Sequence, residues 1–161
     1  MVVIGAISDK SKHESIKQLN QQAKGNSANV IVIRDAMVKE IHSDQLVPGD
    51  ILFIESGSNI PVDGLLIQGD EIKSDESNLT GETDQMPKST LECSIRVREE
   101  LVRENSNVSF TKIPSPVILS GSSILQGEGM MVVLLVGDDS CLGRINLALD
   151  PQDEVLDQTK F

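Results

Sequence analysis

Between Gly129 and Gly137 runs Met130-Met131-Val132-Val133-Leu134-Leu135-Val136, the longest apolar stretch of the sequence. It is far short of the roughly 20 residues a helix needs to cross a bilayer. Its length and glycine borders suit a buried central strand better than a helix. The rest of the chain supplies partners for such a strand. Asn29 to Arg34 is rich in β-branched residues, and Asp35-Ala36-Met37 connects it to Val38-Lys39-Glu40-Ile41 as a hairpin. Leu46-Val47-Pro48-Gly49-Asp50 reads as a turn before the strand Ile51 to Glu55. Gly57, Pro61 and Gly64 punctuate a loop leading to Leu65-Leu66-Ile67, and further short strands are expected at Val117 to Leu119 and Ser123 to Leu125. Regularly spaced short strands with tight turns predict a mainly β fold: a distorted β-sandwich or barrel-like core with a helix at one or both ends.

Four other segments stand apart. Ser8 to Lys24 is polar, with Ile16, Leu19 and Ala23 at helical spacing and a stop at Gly25-Asn26, so an amphipathic helix is expected there. The apolar start Met1 to Ile7 is too short to span a membrane and lacks the basic start of a signal peptide; it reads as the cut end of a longer apolar helix. Ser89 to Lys112, carrying Arg96, Arg98, Glu99, Glu100, Arg103 and Glu104, reads as an inserted surface helix or mobile loop. The acidic tail after Asp150 reads as a linker.

Composition narrows the function. At 161 residues one domain is expected. The 25 acidic against 14 basic residues give a net charge of -11, which argues against nucleic-acid binding. With Phe53, Phe110 and Phe161 as the only aromatics, base-stacking platforms are missing and the core must be aliphatic. Cys93 and Cys141 form no CxxC pair, so neither a disulfide framework nor a zinc site is indicated and a reducing compartment fits. His13 and His42 lie in polar surroundings and read as solvated surface residues.

One stretch concentrates chemistry: Lys73-Ser74-Asp75-Glu76-Ser77-Asn78-Leu79-Thr80-Gly81-Glu82-Thr83-Asp84. Gly81 can adopt backbone angles barred to other residues, so the chain can turn sharply and present Glu82 at a tip. There an acceptor-only carboxylate could orient a water in line with an electrophilic phosphorus. An acidic turn is, however, more often a solvated loop, and on residue chemistry alone both readings stand.

Asp75-Glu76-Ser77-Asn78-Leu79-Thr80-Gly81-Glu82-Thr83 resembles the DESSLTGES signature of the P-type ATPase actuator domain. Leu46 to Ile51 resembles that family's VPGD element, and Gly57 to Gly64 its GDxIPADG element. Leu119-Ser120-Gly121-Ser122, Gly127-Glu128-Gly129, Val136-Gly137 and Gly143 resemble its LSGT, EGSG, VG and terminal G-x-I elements, in the same order. The departures are mild: Val62 for Ala, Asn78 for Ser, Ser122 for Thr, and Ser58-Asn59 where an acidic residue is usual. Ser89 to Lys112 is longer than the family's spacing, as an insertion would be. Leu66-Ile67-Gln68-Gly69 and Thr83-Asp84-Gln85 are most similar to calcium pumps of the plasma-membrane type.

The resemblance implies a jelly-roll-like actuator fold with a double-stranded β-helix-like core and flanking helices. It also implies a division of the chain into 1–7, the stub of a transmembrane helix; 8–149, the actuator domain with its insertion at 89–112; and 150–161, a linker toward the next membrane helix. In that family ATP phosphorylates an aspartate in a separate domain, and the actuator rotates to bring its TGE loop onto the aspartyl phosphate. By resemblance Glu82 would position and partly deprotonate the attacking water, Gly81 would permit close backbone approach, and Thr80 would help fix the loop, with Asp75, Glu76, Ser77 and Thr83 supporting it. The implied partners are the phosphorylation and nucleotide-binding domains and membrane helices of one parent chain at the cytoplasmic face of a membrane, with calcium as the transported cation. ATP and Mg2+ would belong to that parent and neither to this fragment, which is expected to be a soluble, catalytically inert monomer. Asp157-Gln158-Thr159-Lys160 echoes the family's DKTGT phosphorylation motif but lacks the Gly-Thr and the preceding strand, so Asp157 is not expected to be phosphorylated. The alternatives are a stand-alone regulatory or binding module of the same fold and an independent phosphohydrolase; the latter lacks both a metal-ligand cluster and a nucleophile with a base beside it.

Overall fold

The structure is a computed structural model that describes residues 29–81, 85–103 and 113–149. The expected helix at Ser8 to Lys24, the apolar start, the end of the insertion past Arg103 and the acidic tail lie outside the described residues. Seven strands form one sheet: β1 (Asn29–Arg34), β2 (Met37–His42), β3 (Ile51–Glu55), β4 (Asp63–Asp75), β5 (Gln85–Lys88), β6 (Val117–Ile118) and β7 (Ser123–Leu135). Their order is β2-β1-β3-β7-β4-β5, with β6 beside β4, and every pairing between them is antiparallel. A single helical turn α1 (Ser77–Thr80), the helices α2 (Leu91–Arg103) and α3 (Cys141–Leu149), and two short 3-10 turns at Ser43–Gln45 and Gly137–Asp139 complete the described elements. The fold is mainly β, as the strand spacing predicted, and α3 stands at one end of the strand series.

β1 and β3 run over the segments read as strands because β-branched and aliphatic residues fit a pleated, half-buried surface. In β3, Leu52 and Ile54 are buried while Ile51, Phe53 and Glu55 are partly exposed, the period of two that one buried face imposes. The β1–β2 loop is two residues long, and Asp35 and Ala36 both have positive φ (56° and 59°). That geometry matches the right-handed twist of the flanking strands.

Two expectations need correction. Ser123 to Leu125 and Met130 to Leu135 are not separate strands but parts of the 13-residue β7, and Val136 lies just past its end. Leu65 to Ile67 is the middle of β4, also 13 residues long. Glycines read as borders lie inside these strands, where they permit close approach. A Cβ on Gly129 would fall 2.4 Å from the Gln68 carbonyl oxygen and 3.0 Å from Gly69 Cα on the neighbouring strand. β4 absorbs further irregularity in bulges, with Glu71 at a φ of 48°. β7 is central, flanked by β3 and β4, and its Met131 and Val133 join Val32, Leu52, Ile54, Leu66, Ile72 and Ile118 in the core. The core is aliphatic, as the shortage of aromatics required.

Two buried carboxylates fasten the turns to this core. Asp50 takes a two-pronged pair of 2.7 Å hydrogen bonds from the Arg34 guanidinium, which also reaches the Gln45 carbonyl at 2.9 Å. The Val47 N–H donates to Asp50 Oδ2 at 3.0 Å, closing the turn upon itself. The Gly49 N–H and Asp50 C=O then pair with the backbone of Val133 on β7. At the start of β4, Asp63 accepts from the backbone N–H of Ser120 and of Cys141, both at 2.7 Å. Ser120 Oγ takes the N–H of Leu142 and Ser140 Oγ that of Gly143. The first three N–H groups of α3, which have no partner within a helix, are thus satisfied by three side chains.

Replacing Asp63 with alanine leaves two interior N–H groups without an acceptor, and the expected loss is about 3 kcal/mol of folding free energy, read from the urea midpoint. A second expectation concerns acid. The hydrogen-bonded Arg34 guanidinium holds the Asp50 carboxyl below its usual range, against the opposing effect of burial and with help from the Val47 N–H. A depressed folded-state pKa means that the pair contributes stability above about pH 4 and loses it as pH falls through the lower folded value. Urea titrations between pH 7 and pH 2 are expected to show a shallower acid loss in Asp50→Asn than in the parent sequence, from a lower starting stability.

Candidate functional site

The acidic stretch forms the tip of a hairpin. β4 and β5 pair from Ile72 opposite Lys88 to Asp75 opposite Gln85, so residues 76–84 form the connection. Where a solvated turn was one reading, part of this connection is a helical turn. The Asp75 carboxylate accepts the Ser77 N–H at 2.9 Å and starts α1. The Ser77 side chain and backbone N–H hold Asp75 below its ordinary carboxylate range. Within the turn, Thr80 N–H and Thr80 Oγ1 both donate to the Glu76 carbonyl, at 3.0 and 3.2 Å. Gly81, at a φ of 75°, ends the helix in the left-handed conformation and donates its N–H to the Ser77 carbonyl at 2.9 Å. That conformation costs a residue with a Cβ and suits glycine.

Each expected site residue can be placed. Asp75 is partly exposed at the end of β4, Glu76 is buried, Ser77 is partly exposed as the first residue of α1, and Thr80 and Gly81 are exposed. Glu82 and Thr83 lie outside the described residues, directly after Gly81. The helical turn is also docked sideways: a methyl on Gly121 would come within 3.3 Å of Leu79 Cδ2 and 3.4 Å of Leu142 Cδ1. Leu79 of α1 and Leu142 of α3 therefore close over the Leu119-Ser120-Gly121 turn, whose Ser120 is tied to Asp63.

Sequence reasoning missed the group behind the tip. Lys88, at the end of β5, forms an ion pair with Glu76, and the two side chains are 2% and 7% exposed. Lys88 Nζ also donates to the Val117 carbonyl at 2.8 Å, and Ser74 Oγ to Glu76 Oε1 at 3.2 Å. A lysine is by default a surface residue, so nothing in its local sequence marks it. The signal would have been the hairpin register, which brings it back beside the motif's own glutamate. In the described part of 74–88 Lys88 is the sole basic side chain, and it faces inward. Lys73, on β4 just before this span, is exposed.

A family profile described as the P-type ATPase actuator domain matches residues 24–150. The chain belongs to the P-type ATPase actuator domain family. Calcium-transporting ATPase 2 of Schizosaccharomyces pombe is 37% identical over 149 residues, which is 92% of this chain and 11% of that protein. Plasma membrane calcium-transporting ATPase 4 of Bos taurus is 34% identical over 145 residues, 90% of this chain and 10% of that one. The actuator chain thus spans about a tenth of the length of these relatives. Among solved structures, a zinc-transporting PIB-type ATPase superposes with a TM-score of 0.56 at 18% identity, over 86% of this chain and 21% of that one; this likeness concerns the fold.

Because Gly81 is exposed and a Cβ there would meet no atom within 4 Å, Gly81→Ala adds backbone strain without a clash. The expected cost is about 1 kcal/mol in thermal or urea unfolding, with the native β-rich circular dichroism spectrum retained.

Proposed function

We propose that this chain is the actuator of a calcium-transporting P-type pump of the plasma-membrane kind, and that its Glu82 directs the water which hydrolyses the pump's aspartyl phosphate. The observation that carries the reading is the left-handed Gly81 at the end of α1, on a hairpin whose base is pinned by buried polar contacts. Gly81, which directly precedes Glu82 in the sequence, is thereby held in one backbone conformation at an exposed position. The calcium assignment leans on the two calcium-transporting relatives, which match nearly the full length of the actuator.

In the proposed step the water oxygen attacks phosphorus in line, and the bond from phosphorus to the aspartyl oxygen breaks. The aspartate is regenerated as its carboxylate, and Glu82 takes the proton that the water gives up. Thr80 holds the helical turn through the Glu76 carbonyl, Asp75 and Ser77 hold its first residues, and Thr83 is assigned a supporting role beside Glu82. The tip is anionic and so is the phosphoryl group, so their approach is unfavourable unless cations on the facing domain compensate. Mg2+ and ATP are assigned to the other domains of the pump, as the family resemblance implies. No helix among the described residues is long and apolar enough to cross a membrane. We place the anchoring in membrane helices joined through 1–7 and 150–161, with the actuator body, 8–149, at the cytoplasmic face and the segment 89–112 inserted in it.

In the full-length pump, Glu82→Gln keeps the size of the side chain but removes its capacity to take a proton. Phosphoenzyme formed from labelled ATP is expected at normal levels, and its decay after a chase with unlabelled ATP is expected to slow by roughly 100-fold or more. Unchanged decay would remove Glu82 from the hydrolytic step. Normal decay with no ATP-dependent calcium uptake by vesicles carrying the wild-type pump would overturn the calcium assignment alone.

A further inference from the structure

The geometry points to Lys88 as a positioning residue for dephosphorylation: its buried ammonium, through Glu76, sets where Thr80 and Gly81, the residues that lead into Glu82, are held. The inference rests on the proposed role of Glu82 and extends it to a residue that never meets the phosphoryl group.

Three observations carry it. Lys88 joins three segments at one point, since it is paired through its backbone with Ile72 of β4, through its side chain with Glu76 at the root of α1, and through the same Nζ with the Val117 carbonyl of β6. Glu76 is the residue whose carbonyl receives both the N–H and the hydroxyl of Thr80. A displacement of Glu76 is therefore passed to Thr80 and Gly81 through hydrogen bonds rather than through loose packing. Finally, the remaining contact of the Glu76 carboxylate runs to Ser74 Oγ, also buried, so the glutamate is gripped from both sides of the hairpin.

Stability alone is a poor reason for such a group. Two charges taken out of water incur a large desolvation cost, and well-packed apolar residues of similar volume commonly stabilise a core as well or better. What directional polar contacts give is a fixed geometry. In a hydrolytic site a displacement of about 1 Å far from the chemistry can cost on the order of 100-fold in rate. A buried lysine whose ammonium is held by both Glu76 and the Val117 carbonyl fits that requirement.

The test uses the full-length pump with three variants. Lys88→Met removes the cation at similar length and leaves Glu76 buried without its partner, which can impair folding. The double variant Lys88→Met with Glu76→Met removes both charges at similar volume and so avoids the orphaned carboxylate. Glu82→Gln is the reference for loss of the water-directing group. Each is phosphorylated from labelled ATP and chased, and the decay constant of the phosphoenzyme that has formed is measured. That constant describes molecules folded well enough to be phosphorylated, so a merely structural role lowers the amount of phosphoenzyme without changing its decay. The expected result is decay slowed by about 10- to 100-fold in both methionine variants, with formation from ATP at the normal rate in the double variant. Wild-type decay constants in the methionine variants, beside slow decay in Glu82→Gln, overturn the role of Lys88 and leave that of Glu82 intact. A wild-type decay constant in Glu82→Gln overturns the underlying reading, and the inference about Lys88 falls with it.

Discussion

The pairing of two 13-residue strands, β4 and β7, is the constraint on which the rest of the actuator depends. β7 carries most of the longest apolar run, β3 and β4 pair along its two edges, and the core gathers around Met131 and Val133. Once β4 is fixed against β7, its two ends have defined positions. One end carries Asp63, which holds the Ser120 turn and the first N–H of α3. The other runs into α1 and the acidic loop. The helical turn α1 and the last described helix are thus mounted on the same strand, and Leu79 of one and Leu142 of the other both lie close to Gly121.

This arrangement explains how an acidic chain can hold an acidic loop in place. Arg34 and Lys88, two of its 14 basic residues, are committed to interior carboxylates rather than to the surface. Asp50, Glu76 and Asp63 are buried and each is satisfied, Asp50 by a guanidinium, Glu76 by an ammonium and a hydroxyl, and Asp63 by backbone N–H groups. None of the three is free to meet a ligand; their work is to hold turns.

The strands β1 and β3 and the Val47 to Asp50 turn were legible because β-branched runs and Pro-Gly pairs report local backbone preference. The full lengths of β4 and β7 were not, because Gly64 and Gly129, which lie inside these strands, look like strand borders in one dimension. Only the crossing of two backbones shows them to be places where strands touch. The loop motif was visible as a family signature, and the profile match over 24–150 bears out the family. The pairing of Lys88 with Glu76 was hidden, since twelve residues separate them and only the hairpin register brings them together. The helical turn α1 escaped for a similar reason: four residues carry too little periodicity, and its start is set by the Asp75 side chain and its end by Gly81.

The central claim is that this hairpin delivers Glu82 to a phosphoryl group on another domain. The most direct test is a structure of the full-length pump trapped with a fluoroaluminate at the phosphorylated aspartate. A Glu82 carboxylate oxygen within hydrogen-bond reach, about 3 Å, of the in-line water is the predicted result. A Glu82 side chain turned away, with no water between it and the trapped group, would contradict the account.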